Sequence, residues 1–194
     1  MKVFEPFKIN QMELKNSMVV SAMVTNYCSE DGMATEKFIA YHEYKAKGGG
    51  GLIITEDYAV TPTAGGFKKL PGLWEDGQIE SHKELTRRIH EAGGKIAAQI
   101  YHAGREPSSA ITGEQPIGSS ALKDPTMPET PREMTVEEIH ELVEQFGDCA
   151  RRAEERSETV QDLQWRSLRI LRKNAEKIIQ FYTECQRLNM SQVD

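Results

Sequence analysis

Three short apolar segments alternate with amphipathic helical patterns between residues 18 and 155, and this alternation restricts the possible folds most strongly. The apolar segments are continuous, which is typical of strands buried on both faces. Strands that alternate regularly with helices indicate a parallel sheet with right-handed crossovers. The sequence therefore predicts an α/β fold. Its predicted strands are Met18 to Met23, Leu52 to Thr55 and Ile96 to Ile100.

The first two predicted helices carry recognisable signals at their ends. The first helix begins at Thr35 and ends at the glycine run 48–51. The second covers Gln78 to Ala92, with apolar residues at spacings of three and four, and ends at Gly93-Gly94. Glycine is favoured where a helix stops, so these boundaries support the assignment of both helices.

The third helix and the segments outside the strand–helix units complete the pattern. Thr135 begins the third helix, and Glu138 completes a Thr-x-x-Glu capping box. Residues 107–131 are a long proline-containing loop, of a length that is usually functional or disordered. Phe4 to Asn16 predicts a hairpin with a turn near Asn10-Gln11, which would close the bottom of a barrel.

Length and composition exclude several classes of protein. The chain has 194 residues, whereas a complete (β/α)8 barrel typically needs about 250. A net charge of -6 argues against a nucleic-acid platform and gives no membrane-surface signal. No apolar run approaches the roughly 20 residues of a membrane span, and no signal-peptide core is apparent. The three cysteines lie far apart and indicate neither a disulfide framework nor a metal site, so we expect a cytoplasmic protein.

The end of the third predicted strand carries polar groups that are suited to a ligand. Gln99 stands between apolar neighbours, and His102, Gly104 and Arg105 follow within six residues. Ligands of parallel α/β sheets bind at the carboxyl ends of the strands. A glutamine offers both donors and acceptors to the edge of a planar ring. The structural alternative is that Gln99 is a satisfied core amide and His102 an ordinary surface histidine.

Residues 156–194 depart from the alternation. A fourth strand is expected soon after Glu155, but none is apparent. Apolar residues instead repeat at three and four within Ser157 to Asp194, which predicts a long amphipathic helix that packs on the domain or on its own copy in a dimer. The predicted division is therefore 1–155 and 156–194. A frameshifted or fused tail remains an alternative, although the regular apolar stripe argues against random translation.

From about Phe4 to about Glu155 the sequence resembles the opening of the old yellow enzyme family, in consistent order and spacing. The closest branch is that of the bacterial NADH:flavin oxidoreductases related to 2,4-dienoyl-CoA reductase. The resemblance implies part of an FMN-containing (β/α)8 TIM barrel: the bottom hairpin and three parallel strands with their helices. The segments that carry it are FEPFKINQMELKN, MVVSAMVTNY, GLIITEDYAV, LPGLWEDGQIESHKELTRRIHEAGGKIAAQIYHAGR and PREMTVEEIHELVEQFGDCARRA.

The same resemblance implies a function and a set of cofactor-binding residues. Family members pass hydride from NADH or NADPH through FMN to an activated alkene, which is a small molecule. Ala22, Met23 and Val24 stand where the family packs the end of its first strand on the isoalloxazine ring. Gln99 stands where the family glutamine pairs with the N–H and carbonyl of the pyrimidine edge.

Three of the implied cofactor-binding positions depart from the family. Ala22 stands where the family has proline. Val24 replaces the usual Thr or Cys and cannot donate a hydrogen bond to the flavin carbonyl. Asp57 replaces a small residue, and an acidic side chain beside the ring disfavours the reduced anionic flavin unless it points away.

The groups that perform chemistry in the family are not matched. The family continues into a fourth strand that ends in a His-x-x-His or His-Asn pair, which holds the substrate carbonyl. An arginine near the flavin, the phosphate site of the last two strands and an iron–sulfur cysteine cluster are also unmatched, and His102 lies on the wrong strand. Catalytic and metal-binding residues are therefore not assigned. We expect a truncated or rearranged member that binds FMN weakly or not at all.

A non-catalytic half-barrel is the alternative function. The predicted sheet has an open edge after its third strand, and open edges invite pairing with another chain. Such a half-barrel would assemble as a homo-oligomer through that edge or through the Ser157 to Asp194 helix.

Overall fold

In the computed structural model, which describes residues 1–9 and 12–155, a 3₁₀ turn at Lys2–Phe4 is followed by a short antiparallel hairpin. Strands β1 (Phe7–Ile9) and β2 (Met12–Leu14) pair in register, as the sequence predicts. Met12 and Leu14 are each 2% exposed and pack against Leu52. The predicted turn at Asn10-Gln11 and the predicted Ser157 to Asp194 helix lie outside the described residues.

The alternation of strands and helices is confirmed. A three-stranded parallel sheet has the order β3-β4-β5, and each strand is followed along the chain by a helix. The remaining strands and α-helices are β3 (Val19–Val20), α1 (Glu36–Lys47), β4 (Leu52–Ala59), α2 (Ile79–Glu91), β5 (Lys95–Tyr101), α3 (Ser109–Thr112), β6 (Ile117–Gly118), β7 (Arg132–Glu133) and α4 (Val136–Glu155), and a 3₁₀ turn at Asp76–Gln78 leads into α2.

The lengths of the first two sheet strands differ from the prediction. The strand predicted over Met18 to Met23 pairs only at Val19–Val20, because the chain after it leaves the sheet and is bound by a side chain of β4. The strand predicted over Leu52 to Thr55 continues to Ala59, because β5 pairs with it along this whole length.

A bulge in β4 decides which side chains share a face of the sheet. Ile54 pairs with Ala97, but the next registered pair is Asp57 with Gln99, so β4 contains one extra residue. Ile54 and Ala97 lie on the face that contacts the hairpin. Side chains alternate along a strand, so Gln99 lies on that same face, and its registered partner Asp57 lies there with it. We call this face the hairpin face.

The opposite face of the sheet packs against the helices. Tyr58 is fully buried there in a cluster that includes Cys149 and Ala153 of α4. A second cluster joins the sheet to α1 and α2 and contains Phe38, Ile39, Ile53, Leu85, Ile89 and Ile96. We call this the helix face.

The predicted helix boundaries are confirmed in detail. The hydroxyl of Thr35 accepts a hydrogen bond from the amide of Phe38, and α1 ends at Gly48. At α4 the capping box is complete, because the amide of Glu138 donates to Thr135 and the amide of Thr135 donates to Glu138.

The region predicted as a long loop holds some regular structure. It contains the single turn α3 and the strand β6, which pairs in parallel with β7 just beyond the loop. None of the helices in residues 1–9 and 12–155 is both long enough and apolar enough to cross a membrane.

Candidate functional site

Polar side chains at the carboxyl end of β4 divide between the two faces of the sheet. Glu56 points to the helix face, where its carboxylate lies 3.8 Å from Nε2 of His42 and both side chains are fully buried. Asp57 lies on the hairpin face beside Gln99. Neighbouring carboxylates are thereby separated, and each has different partners.

The Glu56 carboxylate fastens the segment that follows β3. It accepts hydrogen bonds from the backbone amide and the hydroxyl of Thr25, both at 2.5 Å. Burial alone would raise the pKa of Glu56, but the contacts to His42 and Thr25 outweigh burial and hold this pKa below its usual value. An ionised Glu56 therefore anchors the chain immediately after Val24 to the carboxyl end of β4.

The predicted ring-contacting residues stand just before this anchor. Met23 is 60% exposed and Val24 is 36% exposed, while Ala22 is partly buried. Large apolar side chains that stay exposed beside a rim of polar groups mark a surface that is suited to a ligand.

Asp57 and Gln99 are brought into direct contact. The amide nitrogen of Gln99 donates a hydrogen bond to the carboxylate of Asp57. Asp57 is only 9% exposed, whereas Gln99 is exposed, so the interpretation of Gln99 as a buried core amide is wrong. The Asp57 side chain therefore does not point away from the position predicted to bind the ring edge.

The environment of Asp57 opposes its ionisation. Burial raises the pKa of Asp57, and the nearby charge of Glu56 raises it further, while the hydrogen bond from Gln99 acts in the opposite direction. The net result is a raised pKa, in contrast to the lowered pKa of its neighbour Glu56. Pairs of acids whose pKa values are pushed apart in this way are frequent at functional sites.

Tyr101 is a candidate residue that the sequence reasoning missed. It lies two residues beyond Gln99 and therefore on the same face of β5. Burial, together with the charges of Asp57 and Glu106, raises the pKa of Tyr101 to about 12. Its hydroxyl therefore stays protonated, on the face of the sheet that carries Asp57 and Gln99. The alternation of faces along the strand was the signal that could have identified it.

His102 is half-buried rather than an ordinary surface residue. The amide of Gly104 donates to its Nδ1 at 2.9 Å, and burial lowers the pKa of the imidazole. The neutral ring then carries its proton on Nε2. Gly104 has φ +61°, a conformation that glycine adopts without strain, and this turn sets the ring's tautomer.

A separate cavity of about 210 Å³ lies beyond the end of β4. Ala59, Trp74 and Ile111 line it, together with Lys68 and Lys69. It contains neither Asp57 nor Gln99, so it is a neighbour of the rim and not part of the predicted ring site.

The described groups fit one part of a flavin. The exposed apolar side chains of Met23 and Val24 suit the face of an aromatic ring, and the exposed amide of Gln99 suits its polar edge. Among residues 1–9 and 12–155, no three His, Cys, Asp or Glu side chains converge as metal ligands would.

Comparison with protein families and curated proteins identifies consistent relatives. Residues 2–158 match the family model described as NADH:flavin oxidoreductase / NADH oxidase. The chain is 37% identical over 155 residues to the NADPH dehydrogenase of Bacillus subtilis, covering 79% of this chain and 45% of that protein. It is 35% identical over 153 residues to the NADH oxidase of Thermoanaerobacter brockii, covering 78% and 24% respectively. The chain thus spans less than half the length of these relatives.

Solved structures with the same fold agree. The old yellow enzyme homologue from Zymomonas mobilis aligns with a TM-score of 0.72 and 28% identity, covering 80% of this chain and 46% of that one. Morphinone reductase in complex with tetrahydroNAD aligns with a TM-score of 0.74 and 27% identity, covering 80% and 47%. The prediction of a partial (β/α)8 TIM barrel is confirmed.

Proposed function

The chain belongs to the NADH:flavin oxidoreductase / NADH oxidase family, and from that premise we propose that it forms the wall of an FMN-dependent oxidoreductase that binds the flavin ring. The predicted resemblance is confirmed, and members of this family use FMN and NAD(P)H. When bound, FMN would supply hydride transfer from NADH or NADPH to an activated alkene.

The proposed roles follow from the chemistry of the rim. Ala22, Met23 and Val24 cover one face of the ring and exclude water from it. Gln99 accepts a hydrogen bond from the ring N–H through Oε1 and donates one to a ring carbonyl. Val24 offers no hydrogen bond, so it shapes the site without tuning the electronics of the ring.

One observation carries this proposal. Gln99 is exposed at the carboxyl end of β5, and its amide nitrogen donates to Asp57. The –NH₂ group carries two hydrogens, so one N–H and the carbonyl oxygen remain for a ligand. That pair is the complement of an imide edge.

Binding of FMN by the 194-residue chain tests the proposal, with flavin fluorescence quenching as the measurement. We expect saturable quenching that Gln99→Ala weakens by about tenfold, because two hydrogen bonds are lost. Gln115→Ala is the matched control, since this exposed loop amide donates to the backbone of Thr130 and lies outside the site. Quenching that does not saturate in the wild type would contradict FMN binding.

We propose that catalysis by these 194 residues alone is weak or absent. None of the five histidines stands in a His-x-x-His or His-Asn pair of the kind that holds a substrate carbonyl in the family. Oxidation of NADH and NADPH in the presence of FMN and cyclohexenone measures this directly. Turnover at the median enzyme rate of about 10 per second would overturn it.

A second candidate function is a half-barrel that assembles with a copy of itself. Within the described part of the chain, β3 and β5 each pair on one side only, and Val19 on β3 is 50% exposed. Size exclusion with light scattering tests it: a dimer that Val19→Lys dissociates would support it, because charge blocks edge pairing. A clean monomer would count against it. That the Ser157 to Asp194 helix contributes to this assembly stays a prediction.

Two further expectations stay proposals. The division into 1–155 and 156–194 agrees with the extent of the family match, residues 2–158. A cytoplasmic location agrees with the buried thiol of Cys28, which forms no disulfide among the described residues, as expected in a reducing compartment.

A further inference from the structure

The contact between Asp57 and Gln99 unites a buried acid with an exposed amide. Asp57 is 9% exposed and Gln99 is exposed, and both lie on the hairpin face of adjacent strands in register. The amide nitrogen of Gln99 donates to the carboxylate. The acid thus lies beside the amide on the adjacent strand and is the less exposed of the two.

This contact is chemically one-sided. A glutamine amide has a donating –NH₂ end and an accepting carbonyl end, and rotation by half a turn exchanges them. An ionised carboxylate only accepts hydrogen bonds, so the –NH₂ end is the one that faces it. The carbonyl oxygen of Gln99 is then turned away from Asp57.

We propose that Asp57 is a positioning residue that fixes the Gln99 amide with its carbonyl oxygen toward the ligand, so that the site selects a planar edge with an N–H donor beside an acceptor. This inference rests on the proposed function, in which that edge is the imide edge of FMN. Fixing the amide before binding removes the cost of ordering it on binding.

The groups around Asp57 are consistent with this role. From its own strand the nearest charge is that of Glu56, which is turned to the helix face by its contacts with Thr25 and His42. From β5 the facing groups are Gln99 and Tyr101. Of these, only the –NH₂ of Gln99 donates to the Asp57 carboxylate in the structure.

A comparison of two ligands, FMN and N3-methyl-FMN, distinguishes a positioning role of Asp57 from a merely structural one. FMN carries an imide N–H at N3, and N3-methyl-FMN lacks only this donor. Wild-type protein should bind FMN about tenfold more tightly than N3-methyl-FMN, because the methyl group blocks the hydrogen bond to Gln99 and crowds it. Phosphate and ring are common to both ligands, so their contributions cancel in the ratio.

Variants of Asp57 then test the inference by fluorescence quenching at pH 7.5. In Asp57→Ala the preference for FMN should shrink to about threefold or less, because the amide rotates freely. In Asp57→Asn the new side-chain amide can either accept a hydrogen bond from the Gln99 amide or donate one to it. The preference for FMN over N3-methyl-FMN should therefore be intermediate. Asp148→Ala removes a carboxylate that is 53% exposed on α4 and should keep the tenfold preference. In the wild type the preference should also fall as Asp57 becomes protonated at low pH, since a carboxylic acid can donate to the carbonyl end.

The outcomes are distinguishable. If the wild type binds no FMN, the proposed function fails and this inference fails with it. If the wild type binds both ligands equally, FMN binding stands and the inference fails. If Asp57→Ala binds FMN more tightly and keeps the full preference, Asp57 only repels the ring, and the inference is again overturned. Should Asp57→Ala fail to fold by circular dichroism, the isosteric Asp57→Asn and the pH series decide.

Discussion

At the amino end of the parallel sheet Lys15 and Asn16 bind the backbone, whereas at the carboxyl end polar side chains also bind one another. Asn16, which is 7% exposed, shows the first pattern. Its amide nitrogen donates to the carbonyl of Gly49 at 2.8 Å, and its carbonyl accepts from the amide of Met18 at 3.0 Å. Both ends of the side chain are therefore used in closing the fold.

Lys15 follows the same pattern at the ends of two helices. Its ammonium group donates to the carbonyl of Ala46 in α1 and to the carbonyl of Ala92 at the end of α2, each at 3.1 Å. Helix C-termini leave carbonyl groups unpaired and carry partial negative charge, so a shared cation stabilises both.

The carboxyl end shows the second pattern and keeps some binding capacity. Gln99 contacts Asp57, and Thr25 contacts Glu56, so side chains are paired with side chains. Gln99 still has one N–H and its carbonyl oxygen without a hydrogen bond to any other described residue. This difference between the two ends of the sheet agrees with what is general for (β/α)8 barrels. Residues at the amino end of the strands stabilise the fold, and residues at the carboxyl end form the site.

The largest expected effect is a loss of stability when Glu56 is replaced, which tests whether side chains at the carboxyl end also stabilise the fold. Glu56→Leu removes the acceptor of two Thr25 hydrogen bonds and the partner of buried His42. We expect a loss of about 3 kcal/mol in the free energy of unfolding, since the partly buried amide and hydroxyl of Thr25 lose their charged acceptor. Urea unfolding measures it. The matched variant Thr25→Val removes one hydroxyl and should cost about 1 kcal/mol. Equal losses in both would show that the carboxylate has no special role.

The next effect probes the close packing of the amino end. In Gly51→Ala the new Cβ would meet the backbone oxygen of Asn16 at 2.6 Å, so the backbone must shift. We expect a loss of about 2 kcal/mol in the free energy of unfolding. At Gly77 a Cβ would meet nothing within 4 Å, so Gly77→Ala is the control with little expected change. Similar values for both variants would mean that the amino end is more tolerant than the structure indicates.

A smaller effect is expected at the helix ends. Lys15→Met keeps the length of the side chain but removes both hydrogen bonds to carbonyl groups. We expect a loss of about 1 kcal/mol, measured by thermal unfolding. Lys8→Met, which breaks an exposed pair with Glu13, should change stability very little. A loss at Lys8 as large as that at Lys15 would remove the distinction between the two lysines.

The smallest expected effect is a pH dependence at the carboxyl end. Burial raises the pKa of Asp57 in the folded protein above the ordinary value of 3.8. Ionisation therefore favours the unfolded chain, and the wild type loses stability as pH rises from 3.8 through the folded-state pKa. Asp57→Asn cannot ionise, so its melting temperature relative to wild type should be higher at pH 7 than at pH 3. Gln99→Leu removes the donor that lowers this pKa and should lose more stability than wild type over the same pH range. An advantage of Asp57→Asn that stays constant with pH would contradict the raised pKa.

The order of strands and helices was predictable because its signals are local. Thr35 caps a helix through its own hydroxyl, and Thr135 with Glu138 forms a box across three residues. Such hydrogen bonds lie within one turn of the chain, so the sequence pattern contains all of their partners.

Strand ends were harder to predict because pairing is non-local. Whether β4 stops at Thr55 or continues to Ala59 depends on β5, which lies about 40 residues further along the chain. Strand β3 is likewise short because Thr25 is hydrogen-bonded to Glu56, which lies 31 residues further along the chain. The local sequence around one residue of such a pair does not indicate which distant residue it will contact.

The sequence by itself determined the helix caps, the order of strands and helices along the chain, and the presence of Gln99 at a strand end. Each of these depends on residues that are near one another in the sequence. Only the tertiary structure decided that Glu56 and Asp57 face opposite sides and that Asp57 is hydrogen-bonded to Gln99. The bulge between Ile54 and Asp57 sets this arrangement. A bulge is a product of register between strands, and one residue of register exchanges the faces of every side chain beyond it.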